Sequence, residues 1–274
     1  MNGYDELETA LRSGDPDLKE GIVGQLLKHC NTEEIWRSDT GGSPQNFSEP
    51  SYADFCRIVD PRDLPRRRNF ASDEGLAVLV HSILHIEYSA VDLALDAVYR
   101  FREMPAEYRR DWLEVAADEI RHFKMLREVL GSLGYDYGDF PVHRGLFDAA
   151  SHTAGDVLDR MAVIPRHYEA TGLDVNPQIV RKLLPHRSRP EVGRLLEALE
   201  VIYREEIEHV RKGDRWFRYL CERRGLEPGE TFRKILERYD LRKKRRPGLN
   251  VTARKAAGFA CTELRELGAE RCEE

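Results

Sequence analysis

Apolar residues recur at helical spacing through most of the chain and mark out four long helices among shorter ones. Residues 4–37 carry Leu7, Leu11, Leu18, Ile22, Leu26 and Leu27, with a break at Gly14-Asp15-Pro16. That pattern predicts one or two short amphipathic helices. The period then fades. Residues 38–70 are rich in Ser, Gly, Pro and Asp, and Thr40-Gly41-Gly42-Ser43-Pro44 is a loop signal, so the segment reads as an extended arm over the surface. Ser72, followed by Asp73 and Glu74, opens the first long helix. The hydroxyl suits an N-cap and the acids suit the positive end of the helix dipole. The stripe Leu76, Val80, Ile83, Ala90, Val91, Ala94 and Val98 carries it to about Met104, and Glu87 falls within that stripe.

The second long helix begins near Pro105 and ends at the Gly131 to Gly134 stop, with Trp112, Val115, Ala116, Phe123, Leu126 and Leu130 on its buried face. Glu119 and His122 share that face. The third covers roughly 144–171 through Phe147, Ala150, Ala154, Leu158 and Met161, with a kink expected at Pro165 and a stop at Gly172. Glu169 is in phase with its stripe. A connection with a short helix at 177–184 follows. The fourth spans about 190–224, with Leu195, Leu199, Ile202, Val210, Trp216, Phe217 and Leu220 inward and Glu206 and His209 in the same phase. Two smaller helices are expected near 228–240 and 250–267. The pattern therefore predicts an all-α chain: an N-terminal helical extension and arm over 1–59, then a four-helix bundle with C-terminal helices over 60–274.

Polar residues on apolar faces are the informative exceptions, because burying an unpaired carboxylate is costly. In chain order they are Glu87, Glu119 with His122, Glu169, and Glu206 with His209. Glu and His three apart lie about one turn apart on one helix face. One Glu-x-x-His arises readily by chance in a Glu-rich chain. Two of them, each preceded one helix earlier by an isolated inward Glu, form the ligand pattern of ferritin-like di-iron and di-manganese bundles. Four carboxylates bring four negative charges, which two divalent ions neutralise; without metal they repel or take up protons. Imidazole and carboxylate donors without thiolate suit iron, with manganese as the alternative. Two ions about 3.5–4 Å apart can bind O2 between them. Glu119 and Glu206 are the expected bridging ligands, Glu87 and Glu169 the terminal ones, with His122 and His209 one imidazole per ion.

Other residues draw lesser expectations. Asp118 and Glu205 precede the paired ligands and are candidates to orient an imidazole, with Arg121 a partner for one of them. His81 and His85 lie roughly 120° and 160° round the helix from Glu87 and read as helix-interface or surface residues. His167 should point away from Glu169. Tyr88, Tyr168 and Tyr203 read as core.

Composition narrows the setting. Charged residues make up 34% of 274, with a formal net charge of −6, which gives no global pull towards nucleic acid or anionic membrane. The basic runs Arg66-Arg67-Arg68 and Lys243-Lys244-Arg245-Arg246 read first as solvated surface. Cys30, Cys56, Cys221, Cys261 and Cys272 form no C-x-x-C pair, and the odd count suggests thiols in a reducing compartment. The acidic start lacks a secretory pattern, and no uninterrupted apolar run has membrane-span length. The expectation is a soluble, cytoplasmic protein with no membrane partner.

Asp118-Glu119-Ile120-Arg121-His122 resembles the D-E-x-R-H element of di-iron carboxylate oxygenases. The wider pattern from Asp60-Pro61-Arg62-Asp63-Leu64-Pro65 onward, with Val163, Pro165, His167, Glu169 and Asp174, Glu205-Glu206-Ile207-Glu208-His209 and Trp216-Phe217, resembles a bacterial ferritin-like family of unknown function. Residues 1–59 fall outside that resemblance, and Glu205 stands where the family usually has Asp. More distantly the chain is similar to the non-haem di-iron hydroxylase that acts on a hypermodified adenosine of tRNA. The resemblance implies an O2-activating di-iron oxidoreductase, an oxygenase or hydroxylase using two iron ions, O2 and an electron donor, with the organic substrate left open. The alternatives are a ferroxidase or metal-handling protein, and an RNA-associated protein that uses the basic runs.

Overall fold

The computed structural model describes residues 2–37, 43–241 and 248–273. Thr40, Gly41 and Gly42 of the loop signal and the run Lys243-Lys244-Arg245-Arg246 lie outside the described residues. Among the described residues the architecture is all-α, with one isolated parallel bridge between Ile58 and Val142. The chain divides into two compact units, Met1–Ser151 with His186–Ala198, and His152–Pro185 with Leu199–Glu274.

The first unit is built on a hairpin of α3, Asp73–Arg100, and α4, Ala106–Ser132. Ser72 caps α3 by accepting the Gly75 N–H. A Cβ on Gly75 would lie 2.3 Å from the Asn69 carbonyl oxygen, so only glycine lets the incoming chain cross there. α3 is apolar nearly all round, as a central helix must be. It is long and apolar enough to cross a membrane, but 78% of its most apolar window is buried inside the protein. Two N-terminal helices, α1 (Gly3–Arg12) and α2 (Pro16–Lys28), pack on α3 and α4 respectively. The expected break at Gly14 to Pro16 is present, with Asp15 capping α2.

The arm after α2 is fastened rather than loose. Lys19 of α2 is wholly buried and places Nζ 2.6 Å from Asp92 of α3 and 2.7 Å from the Ala10 carbonyl. Ser51 of the arm donates to the other Asp92 oxygen at 2.6 Å. Tyr52 is buried edge-on against His85 and Tyr88.

The second unit departs from the expected third helix. In place of one kinked helix over 144–171, the chain forms α5 (Gly145–His152, in the first unit), then α6 (Val157–Val163), a π-helical turn (Ile164–Glu169) and α7 (Ala170–Leu183). The break falls at Thr153 to Asp156. There Asp156 caps a new helix by accepting the Leu158 N–H, and Arg160 donates to the Thr153 hydroxyl at 2.8 Å. Local capping outweighs the apolar stripe that runs through it. Pro165 lies in the π turn instead of at a simple kink, since a residue without an N–H cannot extend the i to i−4 ladder.

Helix α7 then runs through both Gly172 and Pro177, where a stop and a connection were expected. Pro177 cannot donate to the Leu173 carbonyl, and the Asn250 side-chain amide does so instead, at 3.1 Å. α8, Pro190–Arg223, is close to the predicted span; its residues 190–198 belong to the first unit and 199–223 to the second. α9 (Pro228–Arg238), α10 (Val251–Ala256) and α11 (Cys261–Glu266) follow, so the single helix expected over 250–267 is two. Cys261 and Cys272 form a disulfide, contrary to the expectation of unpaired thiols; Cys30, Cys56 and Cys221 are buried thiols.

Candidate metal centre

In the first unit α3 presents Glu87 and α4 presents Glu119 and His122 to one point. Their relative exposures are 4%, 0% and 0%. Each offers a ligand atom, and these atoms lie within 4.8 Å of one another. His122 Nδ1 is 3.1 Å from a Glu87 oxygen and 3.3 Å from a Glu119 oxygen. The hairpin explains the convergence: Glu119 and His122 are one turn apart on α4, and Glu87 faces them from the core side of α3.

The electrostatics are those of a group that wants a cation. Burial, then repulsion from Glu119, pushes the Glu87 carboxyl up to about 7, with His122 pulling the other way. Burial opposes charge on the His122 ring, but hydrogen bonds with Glu119 and Glu87 outweigh it and hold the ring up to about 11. The group thus holds a proton between its carboxylates. A divalent ion would relieve the same repulsion with donors that suit it, two carboxylates and one imidazole.

In the second unit α8 carries Glu206 and His209, with His209 Nδ1 3.6 Å from a Glu206 oxygen. His209 is buried and Glu206 half-buried. Glu169 ends the π turn and is half-buried. That turn is docked on α8 just past the ligand pair. A Cβ on Gly213, one turn beyond His209, would lie 2.2 Å from Pro165 Cβ and 2.4 Å from its Cγ, so the two backbones meet only because residue 213 is glycine. Beside it the wholly buried Arg166 pairs with Asp214 of α8 at 2.9 Å and with Glu263 of α11 at 2.6 Å. Its guanidinium also sits over the rings of Phe217, Phe232 and Phe259 at 4.4, 4.3 and 4.7 Å.

The six predicted ligands therefore fall into two sets of matching composition, one per unit, each a Glu plus a Glu-x-x-His. Of the neighbours, Asp118 pairs with Arg121 at 2.6 Å, as anticipated for Arg121. His81 and His85 are buried rather than on the surface. His81 Nε2 accepts the Gly138 N–H at 3.0 Å, and His85 lies between the Tyr137 hydroxyl at 2.8 Å and the His143 carbonyl at 2.7 Å. Tyr88 is core, and the Tyr203 hydroxyl accepts from Asn250 at 2.7 Å. The Arg166, Asp214 and Glu263 cluster was missed in the sequence, although an isolated Gly213 inside a helical stripe is the kind of signal that marks close packing.

The model of a family described as Protein of unknown function (DUF455) matches residues 12–265. The match begins well before Asp60, so most of the N-terminal segment set outside the resemblance belongs to the family too. An uncharacterized protein of Haemophilus influenzae is 35% identical over 271 residues, spanning 95% of this chain and 92% of that relative. No solved structure matches the chain.

Proposed function

The chain belongs to this protein family of unknown function, and we propose that it is a non-haem di-iron oxidoreductase of ferritin-like architecture, an O2-activating oxygenase or hydroxylase of the cytoplasm. In this reading α3 and α4 carry one ligand set, and the π turn and α8 carry the other. Glu87, Glu119 and His122 hold one ion, and Glu169, Glu206 and His209 hold the other. The observation that carries it is the buried Glu87, Glu119 and His122 group, whose ligand atoms converge within 4.8 Å and whose composition α8 and the π turn repeat.

When bound, a pair of ferrous ions supplies the electrons for reducing O2. The chain's own residues do the rest of the work that supports this reading. Glu87, Glu119 and His122 would hold the cation in the place where the His122 ring now sits between the two carboxylates. The rings of Phe123, Tyr88 and Tyr137, from residues that neighbour His122 and Glu87 in the chain or come from the loop after α4, pack against one another with centroids 5.3 to 5.4 Å apart. Glu119→Ala and His209→Ala should each lower bound iron, the first in one ligand set and the second in the other. Ferrous-loaded protein should consume O2 faster when an organic substrate is added and should yield an oxygenated product. Iron oxidation with no dependence on any organic compound would favour a ferroxidase instead.

A further inference from the structure

The second unit contains a device that nothing in a metal site requires. Residues 248–273 return to the π turn and grip it through a charge cluster. Glu263 of α11 is buried and accepts from Arg166 at 2.6 Å through one oxygen and from Arg218 at 2.7 Å through the other. Arg166 and Arg218 both also reach Asp214 on α8, at 2.9 and 2.8 Å. Gly258, at φ +105°, lets the chain cross close to Asp214: a Cβ there would lie 2.4 Å from its carboxylate oxygen. Arg166 is therefore held from two sides, and it is three residues from Glu169 on the same turn.

α11 is only the six residues Cys261–Glu266, far too short to persist by its own hydrogen bonds. The Cys261–Cys272 disulfide closes it into a loop with a sequence separation of 11. Within the closed loop Arg265 donates to the Cys272 carbonyl at 2.9 Å, and at its entrance the Glu263 carboxylate accepts the Ala260 N–H at 2.9 Å. Opening the disulfide frees the end of that loop two residues from Glu263.

We propose that Arg166 and Glu263 are positioning residues for Glu169, and that the Cys261–Cys272 disulfide makes their grip on the π turn responsive to thiols. The metal consequence rests on the di-iron reading; the grip on the turn does not. A dithiol reductant is the co-reactant. It breaks the sulfur–sulfur bond, supplies two electrons and two protons, leaves thiols at Cys261 and Cys272, and closes its own disulfide. The ions with Glu263 then lose their tether, the π turn loosens, and the Glu169 set binds its ion more weakly while the Glu87 set is unchanged.

Two measurements on the full chain test this. In the metal-free protein, amide hydrogen exchange over residues 164–169 should quicken at least about tenfold on reduction, or in the Cys261→Ser/Cys272→Ser double variant, and in Glu263→Gln with the disulfide intact. Unchanged exchange in all three overturns the lock. In a Co(II) titration followed by optical absorption, the oxidised protein should take up two ions. The double variant should keep the affinity of one and lose about 10–100-fold for the other. Two ions bound with undiminished affinity by the variant overturn the metal consequence. Faster exchange on reduction in a protein that takes up fewer than two ions even when oxidised would support the lock on the turn and overturn the dinuclear reading.

Discussion

The contact between Gly213 and Pro165 gives the sharpest mechanical prediction. Glycine inside a long helix such as α8 should be a liability, since alanine is better there by about 1 kcal/mol. Here the added Cβ of Gly213→Ala would lie 2.2 and 2.4 Å from two atoms of the Pro165 ring. Ordinary carbon contact is about 3.5–4.0 Å, so the turn and the helix must part by roughly 1 Å or more. A proline ring cannot swing aside, and the turn is tied to α8 by Arg166 and Asp214. Overpacking of this kind costs about 1–3 kcal/mol, which outweighs the propensity gain. The control is Gly172→Ala in α7 of the same unit, where a Cβ meets nothing within 4 Å. That change should stabilise by about 0.5–1 kcal/mol. Urea denaturation followed by circular dichroism, at constant m, reads both. The overpacked variant is expected to be the less stable of the two, by about 1–3 kcal/mol. If Gly213→Ala raises the midpoint as Gly172→Ala does, the docking of the π turn on α8 is wrong.

Three further outcomes are expected. Lys19→Met leaves the half-buried Asp92 without its cation and should destabilise by about 2–4 kcal/mol, most of it recovered in Lys19→Met/Asp92→Asn, in the same denaturation assay; an additive double variant would show that the pair is not coupled. Burial lowers the His81 ring to about 4 from 6.5, so the neutral form is the folded one. The unfolded chain then gains a proton as pH falls below 6.5, the folded chain does not until about 4, and stability falls across that window. The His81 contribution to the loss is about 2 kcal/mol by pH 5, and His81→Gln, whose amide oxygen can still accept the Gly138 N–H, should show a loss smaller by that amount. Asn250→Ala removes the donor to the carbonyl beneath Pro177 and to the Tyr203 hydroxyl together with the cap on the Ala253 N–H, and should cost about 1–2 kcal/mol; no change in midpoint would show that these contacts add nothing to stability.

Much of the scaffold is legible in the sequence because it follows from burial. α3, α4 and α8 carry apolar stripes with hardly a competing local signal, so periodicity finds them, and it finds Glu87, Glu119 and His122 as charged residues in the wrong phase. The third helix departs from its apolar pattern where two signals compete. The stripe through Ala154 and Leu158 is helical, yet Asp156 and its capping bond end one helix and start another. Pro165, Gly172 and Pro177 look like three breakers. One is absorbed by a π turn, one by an uncrowded helix face, and one by Asn250, seventy-odd residues away in sequence. Partners that distant leave no local trace. The same holds for the Cys261–Cys272 pair, which matches no spacing motif, and for Arg166, whose acids and aromatic rings come from α8, α9 and the C-terminal segment. Glu169, Glu206 and His209 share the phase of the apolar stripes on which they lie. The packing that sets the turn of Glu169 against α8, through Gly213 and Arg166, needed the structure.

The central claim is two ions held by two matching ligand sets, and iron stoichiometry joined to Mössbauer spectroscopy tests it most directly. Protein reconstituted anaerobically with isotope-enriched ferrous iron and then exposed to O2 should hold about two irons per chain. The oxidised ions should be antiferromagnetically coupled and diamagnetic at low temperature, as the proposed dinuclear iron centre requires. One iron per chain, or two that remain magnetically independent, would contradict it.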